Sequence, residues 1–217
     1  MNKSFSHPIL TDKTYARGLS ELTLRDSDLA EAVARWGNPP FWKHTPGFSG
    51  IVLAILSQQV SLESARATFT KLENAIGTIS PEKFMSLEES TLRKIGFSRQ
   101  KASYVRDLAR RVRGGGFDLQ NLETMDNDQA RRKLMEIKGI GAWTADTYLL
   151  FALRRSDAWP SGDLALAKAI QELRKLITIP SAEKADSIAE HWRPWRAVAA
   201  RILWHHYLSK RGRTLPA

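Results

Sequence analysis

The chain has 217 residues, 33 of them Lys or Arg and 23 Asp or Glu, for a formal net charge of +10. It has no cysteine, which excludes disulfides and a Cys₄-ligated iron–sulfur cluster. No apolar run reaches membrane-spanning length and the opening MNKSFSHPIL has no signal-peptide pattern, so a soluble cytoplasmic protein with a substantial core is expected.

In chain order, Leu22 to Trp36 reads as one amphipathic helix, capped by Asp26 or Ser27 and stopped by Asn38-Pro39-Pro40. Phe41-Trp42 follows in a loop, as core edge or as pocket wall. From Pro46 to Gln59 the run is apolar nearly all round, the pattern of a buried helix. On the residues alone, Gln58 and Gln59 close that helix and Ser61 caps the next, Leu62 to Ile76. Ser80-Pro81 opens a short helix, Ser86 and Glu89 have the spacing of a capping box, and Gly96 ends the helix so started. Ser98 to Val112 carries Arg99, Lys101, Arg106, Arg110 and Arg111, with Arg113 just beyond, and reads as a solvated basic face. Gly114-Gly115-Gly116 breaks it. No repeat and no convincing strand alternation occurs, so the fold is expected to be all-α.

Asp126 to Lys168 is the most informative stretch. Asp126 and Gln129 form a capping box, and Ala130, Leu134 and Ile137 keep helical spacing until Lys138-Gly139-Ile140-Gly141 interrupts it. Helical periodicity resumes from Trp143 to Leu153. Two helices joined by so short a Gly-x-Gly link must double back, the glycines supplying backbone angles that other residues avoid. The first amides of the second helix then offer a cradle for a phosphate oxygen. Trp159-Pro160-Ser161-Gly162-Asp163 follows, with Asp163 lying 22 residues beyond Gly141 at the mouth of a helix over Leu164 to Leu176. Ser181 caps another helix, and Pro194 starts a last one, Trp195 to Leu208. There Ala197, Ala200 and Trp204 share a face, the small residues leaving space in front of the indole. Trp192 and Trp195 read as core. His205 and His206 point about 100° apart on their helix and, with His191, read as structural rather than metal-binding.

This combination of hairpin, Gly/Pro loop and Asp resembles the helix-hairpin-helix superfamily of DNA base-excision glycosylases. Within it, KGIGAWTA and WPSGDLALAK are similar to the alkylpurine branch, the 3-methyladenine DNA glycosylase II family, over about Pro46 to Tyr207. The resemblance implies one glycosylase unit over 1–217: two packed helical subdomains, 46–155 with the hairpin and 1–45 plus 156–217, with a cleft between them. The extra α/β domain of the family's best-known bacterial members has no room here. It further implies Asp163 as the catalytic residue and Trp143, Trp204 and Trp42 around the base. Lys138, Gly139, Ile140 and Gly141 would form the DNA-gripping hairpin. A minor-groove wedge falls at Gln58 or Gln59, with Gln59 the position the family matches; closure of the helix remains the equal alternative. The carbonyls of Met135, Ile137 and Ile140 fall where the family holds a monovalent cation, Na⁺ or K⁺; no other cofactor is implied. The partner would be double-stranded DNA containing alkylated bases, met by a monomer with no membrane association.

The chemistry is consistent with that resemblance. Breaking a C1′–N bond develops positive charge on the sugar, and a carboxylate at contact distance offsets it by roughly 4 kcal/mol at an effective dielectric near 20. Asp146 and Asp157 are rival carboxylates, but Asp146 sits inside a helix and Asp157 precedes the loop, so Asp163 is preferred. An N3- or N7-alkylated purine is already cationic and departs neutral, so no acid is needed. Facing indoles add cation–π attraction of up to ~2 kcal/mol. Lyase members carry a lysine two residues after the second hairpin glycine; here Trp143 stands there. The alternatives are a glycosylase of the same superfamily for another damaged or mismatched base, and a non-catalytic DNA-binding module, for which the charge also speaks but which leaves Asp163 and the Trp pair unexplained.

Overall fold

The computed structural model describes residues 9–214; the first eight residues, where the leader pattern was sought, lie outside them. Among the described residues the chain is all-α, without a β-strand. No helix there is long and apolar enough to cross a membrane.

The chain opens with α1 (Asp12–Arg25) and α2 (Ser27–Trp36). Next come α3 (Phe48–Leu56), α4 (Leu62–Ile76), α5 (Pro81–Met85), α6 (Glu89–Ile95), α7 (Arg99–Arg113) and α8 (Asn127–Met135). After α9 (Ala142–Phe151) follow α10 (Leu164–Leu173), α11 (Ala182–Ala189) and α12 (Arg196–Ser209). Contacts divide these into two compact units: described residues up to Lys43 together with those from Leu149 onward, and His44–Tyr148.

The first unit is organised around α12, which is buried from Ala197 to Trp204. Ala197, Val198, Ala199, Ala200, Ile202 and Leu203 are all buried, and the helix packs against α10, α2 and α1. One charge sits among them. Arg201 has no exposed surface. Its guanidinium donates to the carbonyls of Ala197 and Leu150 at 2.9 Å and of Trp42 at 3.2 Å. The rings of Phe41 and Phe151 lie 5.3 Å from it. Burial pushes its pKa down to about 10, so it stays charged at neutral pH.

The helix read over Leu22 to Trp36 is two helices. The backbone breaks at Asp26 (φ −133°), whose Oδ1 accepts from the amides of Asp28 and Leu29 and caps α2. Its Oδ2 accepts from Trp192 Nε1 at 2.7 Å and Arg174 Nη2 at 3.3 Å. Leu22, Leu29 and Ala32 are buried on both sides of the break, which is why the apolar spacing runs through it. Three further boundaries move. Ser86 does not cap α6: its Oγ donates back to Lys83 O at 2.8 Å, and Glu88 stands at the N-cap. α10 stops at Leu173, because Lys175 turns left-handed (φ 52°). α3 stops at Leu56, three residues before Gln59.

The second unit is built on α3, whose Ile51, Val52 and Ile55 have no exposed surface and which packs against α4 and α7. The amide of Gly47 donates to Tyr148 Oη at 2.9 Å, fastening the entry of α3 to α9.

Replacing Arg201 with Ala removes three hydrogen bonds and leaves a cavity among aromatic rings. A loss of at least about 2 kcal/mol in urea unfolding is expected; a change within about 0.5 kcal/mol, as at an ordinary surface position, would mean that the buried charge adds nothing to the fold.

Candidate functional site

The hairpin forms as the glycine spacing predicts, but its two glycines differ. Asp126 and Gln129 make the reciprocal capping box that starts α8, and the chain turns through Ile137 N–H to Leu134 O and Ile140 N–H to Ile137 O, both 3.0 Å. Gly139 has φ +85°, and a Cβ there would lie 2.1 Å from the Tyr104 ring. Both backbone and space demand glycine. Gly141 has no positive φ, and a Cβ would meet nothing within 4 Å. The expectation that both glycines supply special backbone angles is therefore corrected: only the first does. Ile137 and Ile140 are buried anchors, whereas Lys138, Gly141 and Met135 are exposed. Ile137 O accepts one hydrogen bond and, like any carbonyl, has a second lone pair, which is compatible with a cation held by the Met135, Ile137 and Ile140 carbonyls. Arg131 of α8 pairs with buried Asp146 of α9 at 3.0 Å, tying the two helices together and occupying one rival carboxylate.

The end of α3 meets this hairpin. Gln58 is half-buried, its Nε2 donating to Gly139 O at 2.9 Å and Thr144 Oγ1 at 3.1 Å. Gln59 is exposed, with φ 56°.

In the first unit, the loop before Asp163 hangs from α11. Asp186 accepts from Trp159 Nε1 at 2.9 Å and from Ser161 Oγ at 2.7 Å, and Trp159 packs against Trp192 with centroids 5.6 Å apart. Asp163 then caps α10: its Oδ1 accepts from Leu166 N at 2.9 Å, and from Trp204 Nε1 at 3.3 Å. Asp163 is half-buried. Asp157, by contrast, is fully buried and ion-paired with Arg193 and Arg196.

One face of the Trp204 indole is stacked on Phe151, centroids 5.3 Å apart and planes 17° apart. Ala197 and Ala200 are fully consumed by helix packing. The open space that these small residues suggested is thus filled on that face. Trp42 is buried beside His205, 6.2 Å between ring centroids. Trp143, half-buried on α9, belongs to the second unit. Trp192 and Trp195 are core as expected. His206 sits between Trp36 Nε1 and Glu172, each 3.2 Å away, and burial pushes its pKa down. His205 bonds the Trp36 carbonyl at 3.1 Å. Among the described residues no three His, Asp or Glu side chains gather as a metal site.

The profile described as HhH-GPD superfamily base excision DNA repair protein matches residues 52–194, well over half the chain and inclusive of hairpin, loop and Asp163. The chain belongs to this superfamily. DNA-3-methyladenine glycosylase 1 of Schizosaccharomyces pombe is 28% identical over 161 residues, 72% of this chain and 71% of the relative. A Bacillus subtilis protein named for the same activity is also 28% identical, over 72% of this chain but only 58% of its own length, so this chain spans little more than half of that relative. Among solved structures, an S. pombe 3-methyladenine DNA glycosylase in complex with abasic DNA superposes with a TM-score of 0.79 at 26% identity, covering 87% of this chain and 95% of that one.

Within this HhH-GPD chain, the structural partners of the site escaped the sequence. Asp186, Lys101 and the indole N–H of Trp204 act across 25 to 45 residues, a separation at which no local pattern signals them. Gly139→Ala is expected to lower stability by about 2 kcal/mol or more through its positive φ and the Tyr104 clash, while Gly141→Ala stays within about 1 kcal/mol of the parent. Thermal unfolding of the two variants checks this asymmetry.

Proposed function

We propose that this chain is a monofunctional DNA glycosylase. It flips alkylated purines of the 3-methyladenine and 7-methylguanine type out of double-stranded DNA, hydrolyses the N-glycosidic bond and leaves an abasic site for base excision repair. The observation that carries the reading is Asp163 itself: a carboxylate at a helix N-terminus, on a loop tethered by Asp186, with an indole N–H on the same oxygen that caps the helix. Its two rivals are bound up in ion pairs with arginines. Superfamily membership and relatives named as 3-methyladenine glycosylases support the substrate class.

In the proposed reaction the hairpin amides grip the DNA backbone without reading sequence. Gln59 enters the gap left by the flipped nucleotide, and the base stacks on the aromatic side chains. As the C1′–N bond lengthens, Asp163 stabilises the developing charge on the sugar and orients the attacking water. The cationic purine leaves neutral. A monovalent cation on the hairpin carbonyls would add positive charge toward a phosphate. Trp143 stands where an amine would be needed for Schiff-base chemistry, and an indole forms no imine.

Asp163→Asn keeps the cap oxygen, since Asn is as good an N-cap as Asp. Its folding and DNA affinity should match the parent while 7-methylguanine release falls by at least ~10²-fold, the scale of losing one preorganised electrostatic partner. Near-normal release would remove Asp163 from the role. Borohydride added during turnover should trap no protein–DNA adduct, and strand breaks should appear only after alkali or heat; efficient trapping that one lysine substitution abolishes would make the enzyme a lyase instead.

A further inference from the structure

Gln59 is an exposed residue in the left-handed region (φ 56°) without being glycine. That conformation costs an L-residue roughly 1–2 kcal/mol, and such strain persists only where neighbours over-determine it. Here two side chains do so. Lys101, in the first turn of α7, donates from Nζ to Leu56 O at 2.7 Å and to Gln58 O at 2.8 Å. Leu56 ends α3, so the ammonium sits at the negative end of a helix, where a cation is favoured. Burial of the lysine lowers its pKa. From the other side, the Gln58 amide is held by Gly139 O and Thr144 Oγ1. The carbonyl entering Gln59 is therefore clamped by α7, and the side chain preceding it is bonded to the carbonyl of Gly139, the hairpin glycine that both backbone and space favour.

We propose that Lys101 is a positioning residue for base excision: by holding Leu56 O and Gln58 O it fixes the Gln59 tip and, through Gln58, joins it to the hairpin as one rigid piece. Grip of the phosphate backbone and entry of Gln59 into the duplex gap then share a single register. This rests on the glycosylase reading above. A lysine that merely capped α3 would raise stability without affecting how the protein distinguishes a gapped duplex from an intact one.

The test measures affinity for a duplex carrying one abasic-site analogue and for the same duplex intact. The wild-type protein should prefer the former. Lys101→Met should lose at least ~10-fold of that preference, the scale of a hydrogen bond to a charged group, while binding to intact duplex changes by less than about twofold. Gln58→Met breaks the tie from the opposite side and should act in the same direction, which keeps the test decisive if Lys101→Met does not fold. In a Gln59→Ala background, Lys101→Met should remove no further preference. Absence of preference in the wild type, a preference retained by Lys101→Met, or an equal further loss without the Gln59 side chain overturns the assignment. Base release from a 7-methylguanine duplex by the wild-type protein is scored in parallel. Failure there strikes the glycosylase reading, whereas the binding comparison judges Lys101 separately.

Discussion

A buried guanidinium organises the first unit. Arg201 is fully buried on α12, and its guanidinium is met by backbone carbonyls and aromatic faces. A planar guanidinium suits such a setting better than an ammonium, because it is less strongly hydrated and can stack as well as donate. The carbonyl of Leu150 lies in the last turn of α9, where the helix dipole is negative. A single side chain thus fastens the Trp42 loop, the end of α9 and the middle of α12. Trp204 lies three residues further along α12 and stacks on Phe151 of α9. The orientation of that indole, and with it the hydrogen bond to Asp163, follows from how these helices are locked.

Asp146 and Asp157 receive arginine guanidinium groups, and their charge is spent within the fold. Oδ1 of Asp163 accepts from a helix amide and from an indole, donors that carry no formal charge. Part of the excess of basic residues is likewise employed internally. Arg99, Arg111 and Arg113 reach Glu89, Asp107 and Glu82, and Arg106 bonds the Leu87 carbonyl. These pairs on α7 are exposed or half-exposed, where such pairs contribute little to stability; they account for how the basic face is solvated.

Much of the architecture was legible where the signal is local. The capping box at Asp126, the proline at the start of α5, the stop at Gly96 and the buried run of α3 all act within one or two turns, and each forms as read. The misreadings have separate causes, one distant and one local. Apolar spacing continued through Asp26 because Leu22, Leu29 and Ala32 are buried on both sides of the break, and one oxygen of the Asp26 carboxylate, Oδ2, serves Trp192 and Arg174, far away in sequence. Ser86 had the spacing of a cap but bonds backwards to Lys83 O. At the candidate site, Asp163 and the hairpin were visible as motifs. The groups that hold them, Asp186 beneath the loop and Lys101 behind the Gln59 tip, carry no motif, because their role depends on long-range packing.

Gly139 and Tyr104 form a contact with an evolutionary reading. Since the ring occupies the volume into which any side chain at 139 would project, the two positions cannot drift independently. A lineage that loses the tyrosine for a small residue removes the steric barrier yet retains the backbone one, so Asn or Asp, which tolerate positive φ, would be the natural successors to glycine. Covariation between positions 104 and 139 across homologues would then record the history of the hairpin's fit rather than any change in the bases it serves.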